Sequence, residues 1–226
     1  MLSIQHISKV FGPVKALNDI SFDVPQGQIL GLIGQNGAGK STTFHSILNF
    51  IHYEGQIQWQ GHAITATDFD QIGYLPEERS LMTKLTIEQQ ILYLARLKGQ
   101  SAKIIRPQID DWLARFAVKG TRRSKIKDLS KGNQQKVQLI CTLIHHPQLL
   151  ILDEPFSGLD PVNADLLKQA ILTAKQAGAA IIFSSHDMEN VTALCDQLVM
   201  LRKGNIVLHG TLEDVRNQFG KTELYV

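Results

Sequence analysis

The stretch Gly34-Gln35-Asn36-Gly37-Ala38-Gly39-Lys40-Ser41-Thr42 has the pattern G-x-x-x-x-G-K-S/T, which is typical of loops that bind phosphate. The mostly apolar residues 28–33 before it predict a short buried strand, and residues 41–50 after it predict a helix. Such glycines let the backbone turn tightly and aim several N–H groups at one anion, next to the positive end of the helix. We expect Lys40 to reach the β- and γ-phosphates of a nucleotide and the Ser41 hydroxyl to bind Mg²⁺. The alternative is a glycine loop that only turns the chain.

The composition is that of an ordinary packed domain. The chain has 226 residues, of which 43% are hydrophobic, so it can form a core without outside help. The net charge of +2 argues neither for nor against a nucleic-acid partner. Cys141 and Cys195 are far apart within apolar helical patterns, which predicts buried thiols in a reducing compartment. Residues 1–11 lack the apolar core of a signal peptide and no run is long enough to span a membrane, so we expect a cytoplasmic protein.

Apolar alternation predicts an antiparallel sheet in the first quarter of the chain. Ile20, Phe22 and Val24 alternate with polar residues, as in a half-buried strand. Ile57 and Trp59 repeat the pattern between two glycines. Residues 72–75, which a proline follows at position 76, predict another short strand.

The pattern of residues 80–146 is helical. Residues 86–89 resemble a capping box, and apolar stripes at helical spacing follow them. An α/β pattern resumes with residues 149–152, a continuous apolar run that is typical of a strand covered on both faces. Asp160-Pro161 then predicts an N-cap followed by a proline at the first helical position. We therefore expect a helical subdomain, residues 80–146, inserted into an α/β core formed by residues 1–79 and 147–226.

A second motif, Asp153-Glu154, follows that apolar strand. Its two carboxylates would stand at the carboxyl edge of the sheet, where open α/β sheets bind ligands. We predict that Asp153 holds Mg²⁺ through water and that Glu154 polarises an attacking water molecule. A purely structural pair of buried carboxylates would need partners for both charges. His186 follows the next predicted buried strand, at the position of a γ-phosphate sensor, although alone it would more often be structural.

Residues 129–135 place Ser130 and Gly132 at the start of a helix, which is predicted over about residues 133–144. The usual interpretation of such a serine is an N-cap, which satisfies a free backbone N–H group. The same geometry also makes an anion site. The residues alone do not decide between the two.

Taken together, these motifs resemble the ATP-binding-cassette (ABC) ATPases in order and spacing, over almost the whole chain. The segments that carry the resemblance are 34–42, 129–135, 149–154, 157–160 and His186. The resemblance implies an α/β fold, a P-loop NTPase with a RecA-like core, an N-terminal antiparallel β subdomain and the inserted helical subdomain.

The same resemblance implies roles across a dimer. The segment with Ser130, Gly132 and Asn133 would be the signature motif, which closes on the ATP held by a second ABC ATPase subunit. Two subunits would bury two nucleotides head to tail, as a homodimer or a heterodimer. Asp160 would lie in the D-loop, which touches the partner. Phe11 would stack on adenine, although a core aromatic is an equally fair interpretation.

The implied ligands are ATP and Mg²⁺. The residues implied in ATP binding are Phe11, Gly34, Asn36, Gly37, Ala38, Gly39, Lys40, Ser41, Thr42, Ser130, Gly132, Asn133 and Asp160. The implied metal ligands are Ser41, Glu77 and Asp153, and the implied catalytic residues are Glu154, His186 and Lys40. The implied partner is an integral-membrane permease, docked at residues 74–82 on the cytoplasmic face of the membrane, with no nucleic acid.

Two positions depart from the family's commonest motifs. The signature has Lys131 and Asn133 where Leu-Ser-Gly-Gly-Gln is commonest, and Glu77 stands where glutamine is usual. Glu77 can still offer an oxygen to Mg²⁺, with an added negative charge. Both variants resemble cassette proteins of ABC-2 type exporters, so we predict an exporter ATPase.

Two alternatives belong to other functional classes. One is a cassette ATPase that acts on ribosomes or in DNA repair; the single cassette, without a long coiled coil, disfavours both. The other is a nucleotide-gated binding module with little turnover, prompted by the two variant motifs.

Overall fold

Two β-sheets form the frame of the structure, a computed structural model that describes residues 1–78 and 80–219. The strands are β1 Leu2–Phe11, β2 Val14–Val24, β3 Ile29–Ile33, β4 Glu54–Trp59, β5 His62–Ala63, β6 Ile72–Leu75, β7 Leu149–Leu152, β8 Ala180–Ser185, β9 Gln197–Arg202 and β10 Asn205–Thr211. One sheet has the order β2-β1-β4-β5, and the other has the order β10-β9-β3-β8-β7-β6.

The first sheet is antiparallel, since β1 pairs with β2 and β4, and β4 pairs with β5. Leu2 lies opposite Val24 on one side and opposite Trp59 on the other, and all three side chains are buried. The predicted alternation therefore turns one apolar face of this sheet toward the core.

The second sheet is parallel except for its edge strand β10, which pairs antiparallel with β9. Every residue of β7 and β8 is buried, because alternate side chains enter two different cores. Leu150 and Phe183 pack among the helices, whereas Ile151 and Ile182 pack with the antiparallel sheet. This explains the continuous apolar runs of both strands.

The strand order brings motifs that are far apart in sequence to one edge of the second sheet. Strand β8 lies between β3 and β7, and all three run parallel. The phosphate loop follows β3, Asp153-Glu154 follows β7 and His186 follows β8. Their carboxyl ends therefore meet at the edge where α/β proteins bind ligands.

Eight α-helices occupy the described residues. They are α1 Lys40–Ile47, α2 Ile87–Leu97, α3 Ala102–Ile105, α4 Ile109–Arg115, α5 Lys131–Leu143, α6 Pro161–Gln176, α7 Met188–Leu194 and α8 Leu212–Phe219. The predicted capping box before α2 is confirmed: the Thr86 hydroxyl accepts from the Gln89 amide, and the Gln89 side chain accepts from the Thr86 amide. Asp160 caps α6 by a simpler arrangement: its carboxylate accepts from the Asn163 amide, and a proline follows at the first helical position.

Two predicted helix boundaries were wrong by a few residues. Helix α1 begins at Lys40 and ends at Ile47, whereas residues 41–50 were predicted. The left-handed backbone of Asn49 then turns the chain toward β4. Helix α5 begins directly after Ser130, because the serine hydroxyl caps it by accepting from the Asn133 amide.

Helices α2 to α5 lie between β6 and β7, within the predicted insertion. Cys141 and Cys195 are buried free thiols, as predicted, and burial raises the pKa of Cys141 to about 12. None of the helices in the described part of the chain has the length and apolar character needed to cross a bilayer.

Candidate active site

The phosphate loop is a tight turn in which two glycine positions leave no room for a side chain. Gly39 has φ +115°, and a Cβ atom there would lie 2.8 Å from the Ala16 carbonyl oxygen. Gly34 is buried, and a Cβ atom there would meet the Leu201 carbonyl. Side chains at these positions would therefore collide with backbone, which does not move aside easily.

The crest of the loop is open to solvent while its base is buried. Asn36 and Gly37 are exposed, whereas Ala38 is buried and its amide donates to the Gln35 carbonyl. Ser41 and Thr42 are half-buried in the first turn of α1. The N-terminus of α1 and the exposed crest are thus accessible to an anion.

Lys40 lies folded across this loop. Its Nζ donates to the Gly34 carbonyl at 2.7 Å and lies 3.3 Å from Glu154 Oε1. The side chains are only 7% and 9% exposed, so this is a buried ion pair. The cation that is predicted to bind phosphate is therefore neutralised by the predicted catalytic carboxylate.

His186 binds the other oxygen of the same carboxylate. Its Nδ1 lies 3.0 Å from Glu154 Oε2, while the imidazole ring is 66% exposed. Glu154 therefore bridges a lysine from the phosphate loop and a histidine from the end of β8. The structure brings together the three side chains predicted to be catalytic.

A fourth residue, Ser184, connects the two carboxylate positions and was missed in the sequence analysis. Its hydroxyl donates to Asp153 Oδ1 at 2.7 Å and accepts from the Glu154 backbone amide at 2.7 Å. Ser184 and Asp153 are both buried. The available signal was the pair of serines that ends the otherwise apolar strand β8.

The oxygen atoms of the Asp153 carboxylate and the Ser41 hydroxyl are of the type that suits a magnesium ion bound together with a nucleotide. Asp153 is 4% exposed and its orientation is fixed by Ser184 and by the bond from its amide to the Leu75 carbonyl. Mg²⁺ prefers such hard oxygen ligands, and it commonly takes the rest from phosphate and water. Burial and the nearby charge of Asp153 raise the pKa of Tyr74 to about 12, so this phenol stays protonated beside the carboxylate.

Glu77 lies just beyond β6, the strand next to β7, and its side chain is exposed. Phe11 is 47% exposed at the end of β1, with Lys9 Nζ 4.7 Å from the centre of its ring. The alternative that Phe11 is a core aromatic was therefore wrong.

The signature segment forms a separate, exposed cluster. Ser130 Oγ accepts from both the amide and Nδ2 of Asn133, and Asn133 Oδ1 accepts from the Lys119 amide at 2.9 Å. Gly132 lies against Asn163, whose amide groups are bound by Asp160. No hydrogen bond or ion pair among residues 1–78 and 80–219 joins this cluster to the phosphate loop.

The fold and this site define a nucleotide-binding ATPase of the phosphate-loop class. Residues 17–157 match the protein family described as "ABC transporter", and the chain belongs to that family. It is an ATP-binding and ATP-hydrolysing subunit of a membrane transporter.

Three relatives illustrate the similarity. The uncharacterized ABC transporter ATP-binding protein YhaQ of Bacillus subtilis (strain 168) is 47% identical over all of this chain and 76% of its own length. The protein MJ1023 of Methanocaldococcus jannaschii, of the same description, is 42% identical over 95% of this chain and 79% of its own. A solved structure of the ATP binding subunit of an ABC transporter superposes with a TM-score of 0.91, at 33% identity, over 97% of this chain and 93% of its own.

Proposed function

We propose that this chain hydrolyses ATP between two copies of an ABC ATPase subunit, with Glu154 as the general base for the attacking water. The observation that carries the proposal is the placement of Glu154. Its carboxylate is nearly buried at the carboxyl end of β7, 3.3 Å from Lys40 Nζ and 3.0 Å from His186 Nδ1. A base must stand beside the groups that bind the phosphate it serves.

The phosphate loop would hold the triphosphate of ATP. Backbone amides of Gly34, Asn36, Gly37, Ala38 and Gly39 would surround the phosphates, together with the start of α1. Lys40 would leave Glu154 for the β- and γ-phosphates, and Ser41 and Thr42 would complete the cradle. The exposed ring of Phe11 would stack on the adenine.

Ser41, Asp153 and Glu77 would hold Mg²⁺ beside the nucleotide. When bound, the ion neutralises charge that develops on the phosphate oxygens. Ser184 fixes the Asp153 carboxylate before any ligand arrives. Glu77 would contribute its oxygen from the neighbouring strand end.

A second copy would complete each site with its signature segment. Ser130 and Gly132 stand exposed or half-buried at the N-terminus of α5, which suits contact with a γ-phosphate. Asn133 orients the Ser130 hydroxyl through the 3.0 Å bond from its Nδ2. Asp160, packed through Asn163 against the same segment, would contact the partner beside it. Hydrolysis would then let the pair reopen.

The permease would dock on the apolar surface beside residues 74–82. Phe50 is 62% exposed, and its ring packs edge-on against Tyr74 at 6.0 Å between centroids. Met82 and Leu97 are also exposed, on the insertion side. An apolar helix from a membrane subunit would cover these side chains and hold the protein at the cytoplasmic face of the membrane. The variants at Glu77 and the signature favour an ABC-2 type exporter.

The docking surface is tested by cross-linking. We expect Ser80→Cys to cross-link to cysteines in the cytoplasmic loops of the permease, with an efficiency that changes with nucleotide. Failure to cross-link in every nucleotide state would contradict this docking surface, without bearing on hydrolysis.

The catalytic assignment is tested with Glu154→Gln. We expect this variant to bind ATP, to hydrolyse it very slowly and to accumulate as a closed dimer in size-exclusion chromatography. Glu189→Gln, which removes an exposed carboxylate from the first turn of α7, is the matched control and should dimerise and turn over like the parent. Parent-like phosphate release by Glu154→Gln would refute the base assignment.

A further inference from the structure

Ser184 is a polar residue at the centre of an apolar sheet. It lies on β8, beside Leu32 of β3, and its side chain is fully buried. A buried hydroxyl without partners would destabilise the fold. Its two 2.7 Å hydrogen bonds, to Asp153 Oδ1 and from the Glu154 amide, supply both partners at once.

The contact with Ser184 fixes the peptide group from which the Glu154 side chain is directed. Glu154 has φ +45°, in the left-handed region that non-glycine residues rarely occupy because it is strained. This conformation turns the chain sharply after β7 and directs the carboxylate toward Lys40 and His186. The bond from the Glu154 amide to the Ser184 hydroxyl holds the peptide plane before Glu154, and φ sets the direction of the side chain from that plane.

The residue type at position 184 is also constrained by chemistry. The side chain at position 184 must donate a hydrogen bond to a carboxylate and accept one from an amide, both through the same oxygen atom. A hydroxyl does both, whereas alanine or valine does neither. The hydroxyl hydrogen points to the more strongly accepting partner, the Asp153 carboxylate, which leaves its lone pairs for the amide.

We propose that Ser184 is a positioning residue for ATP hydrolysis, which ties the Asp153 carboxylate and the Glu154 backbone into one rigid unit. The proposal rests on the roles proposed above for Asp153 and Glu154. Ser184 itself touches neither nucleotide nor water in this scheme. It holds Glu154 in the orientation that faces the γ-phosphate site. It also holds the Asp153 carboxylate at a fixed position relative to Glu154.

The first test compares Ser184→Ala with Ser184→Thr in steady-state ATP hydrolysis. Loss of such an orienting hydrogen bond typically reduces activity about 10- to 100-fold, so we expect kcat of Ser184→Ala to fall in that range. The KM for ATP should stay within about threefold, because the phosphate loop is untouched, and the Mg²⁺ concentration for half-maximal rate should rise. Ser184→Thr keeps the hydroxyl and should recover most of kcat.

Thr142→Val is the matched control. It also removes a buried hydroxyl, which donates to the backbone carbonyls of Gln138 and Tyr74 and not to a carboxylate. We expect a similar loss of thermal stability, with kcat and Mg²⁺ dependence close to the parent. A purely structural role for Ser184 would make the two variants alike in every measurement, and that outcome would overturn the proposal.

A double-mutant cycle separates this inference from the proposed function. If Ser184 acts through Glu154, Ser184→Ala should reduce the residual rate of Glu154→Gln by less than about twofold. The cycle is measured at saturating Mg²⁺, where metal binding through Asp153 does not limit the rate, and full additivity of the two effects there would refute the positioning role. Parent-like activity of Glu154→Gln would instead refute the base assignment, whereas an inactive Glu154→Gln with a parent-like Ser184→Ala would refute only the role of Ser184.

If Ser184→Ala does not fold, Ser184→Cys takes its place. The thiol has a similar volume but is a weak donor and acceptor. We expect a folded Cys variant to show the same fall in kcat with little change in KM. Parent-like kcat in that variant would overturn the proposal.

Discussion

The ion pair between Lys40 and Glu154 leads to a specific prediction for nucleotide affinity. A nucleotide must separate the two side chains before Lys40 can bind its phosphates. At 3.3 Å and an effective dielectric constant of about 20, the gross attraction is about 5 kcal/mol. Most of this is offset by the desolvation of both buried groups, and the lysine keeps its bond to the Gly34 carbonyl.

We therefore expect Glu154→Gln to bind ADP about tenfold more tightly than the parent, which corresponds to about 1.4 kcal/mol. ADP is the appropriate ligand because it carries a β-phosphate for Lys40 but lacks the γ-phosphate on which the partner would close. The measurement is calorimetric titration with ADP in EDTA, at protein concentrations that keep the chain monomeric. An unchanged or weaker affinity would refute the idea that Glu154 competes with phosphate.

Glu154→Asp separates the ion pair from simple repulsion between Glu154 and the nucleotide. Aspartate keeps the negative charge but is one methylene shorter, so it cannot keep the 3.3 Å contact. If the ion pair is responsible, Glu154→Asp should also bind ADP more tightly. If only Glu154→Gln gains affinity, the charge alone is responsible and the competition is refuted.

Three further predictions concern stability and the phosphate loop. Burial and the charges of Lys98 and His146 lower the pKa of His145 to about 4. Between pH 7 and pH 5 the unfolded chain therefore binds a proton at His145 that the folded chain does not bind. The free energy of unfolding should fall by about 2 kcal/mol over this range. In chemical denaturation, the free energy of unfolding of His145→Asn should change less with pH than that of the parent. An unchanged pH dependence would contradict the assignment of this effect to His145. Gly39→Ala should abolish ATP binding in calorimetry while the protein stays folded, because its Cβ atom would strike backbone; retained affinity would argue against this loop geometry. Thr86→Ala should lower the free energy of unfolding by about 1 kcal/mol through loss of the cap, with parent-like ATPase activity; a loss of activity would be unexpected.

Much of this fold could be predicted because its signals are local. The capping box at Thr86 and the N-cap at Asp160 each lie within four residues, and both are confirmed. The continuous apolar runs predicted the buried strands, since strands covered on both faces have no polar side. The errors at α1 and α5 lie at helix ends, where a single left-handed residue or a cap decides the boundary.

The interior of the site could be predicted only in part. The sequence indicated that Lys40, Glu154 and His186 belong to one site, because each comes after a continuous apolar strand of the kind found in a parallel sheet. It did not indicate that Glu154 would take both other side chains as partners, since this depends on strand order and on its φ of +45°. The role of Ser184 could not be predicted for the same reason: its partners directly follow the neighbouring strand β7, and the sequence around a serine in a buried strand does not indicate what it binds.

The contacts of Glu154 suggest how the base can be held before and after nucleotide binding. In this structure its carboxylate has two side-chain partners, Lys40 and His186, and its backbone has a third, Ser184. The phosphates of a nucleotide compete for Lys40, whereas Ser184 binds the backbone of Glu154 and lies on β8, outside the phosphate loop. Separation from Lys40 therefore removes the charge that neutralises the carboxylate, while His186 and Ser184 still fix its direction. The same step that seats the phosphates would leave beside them an oriented base that is no longer paired with Lys40.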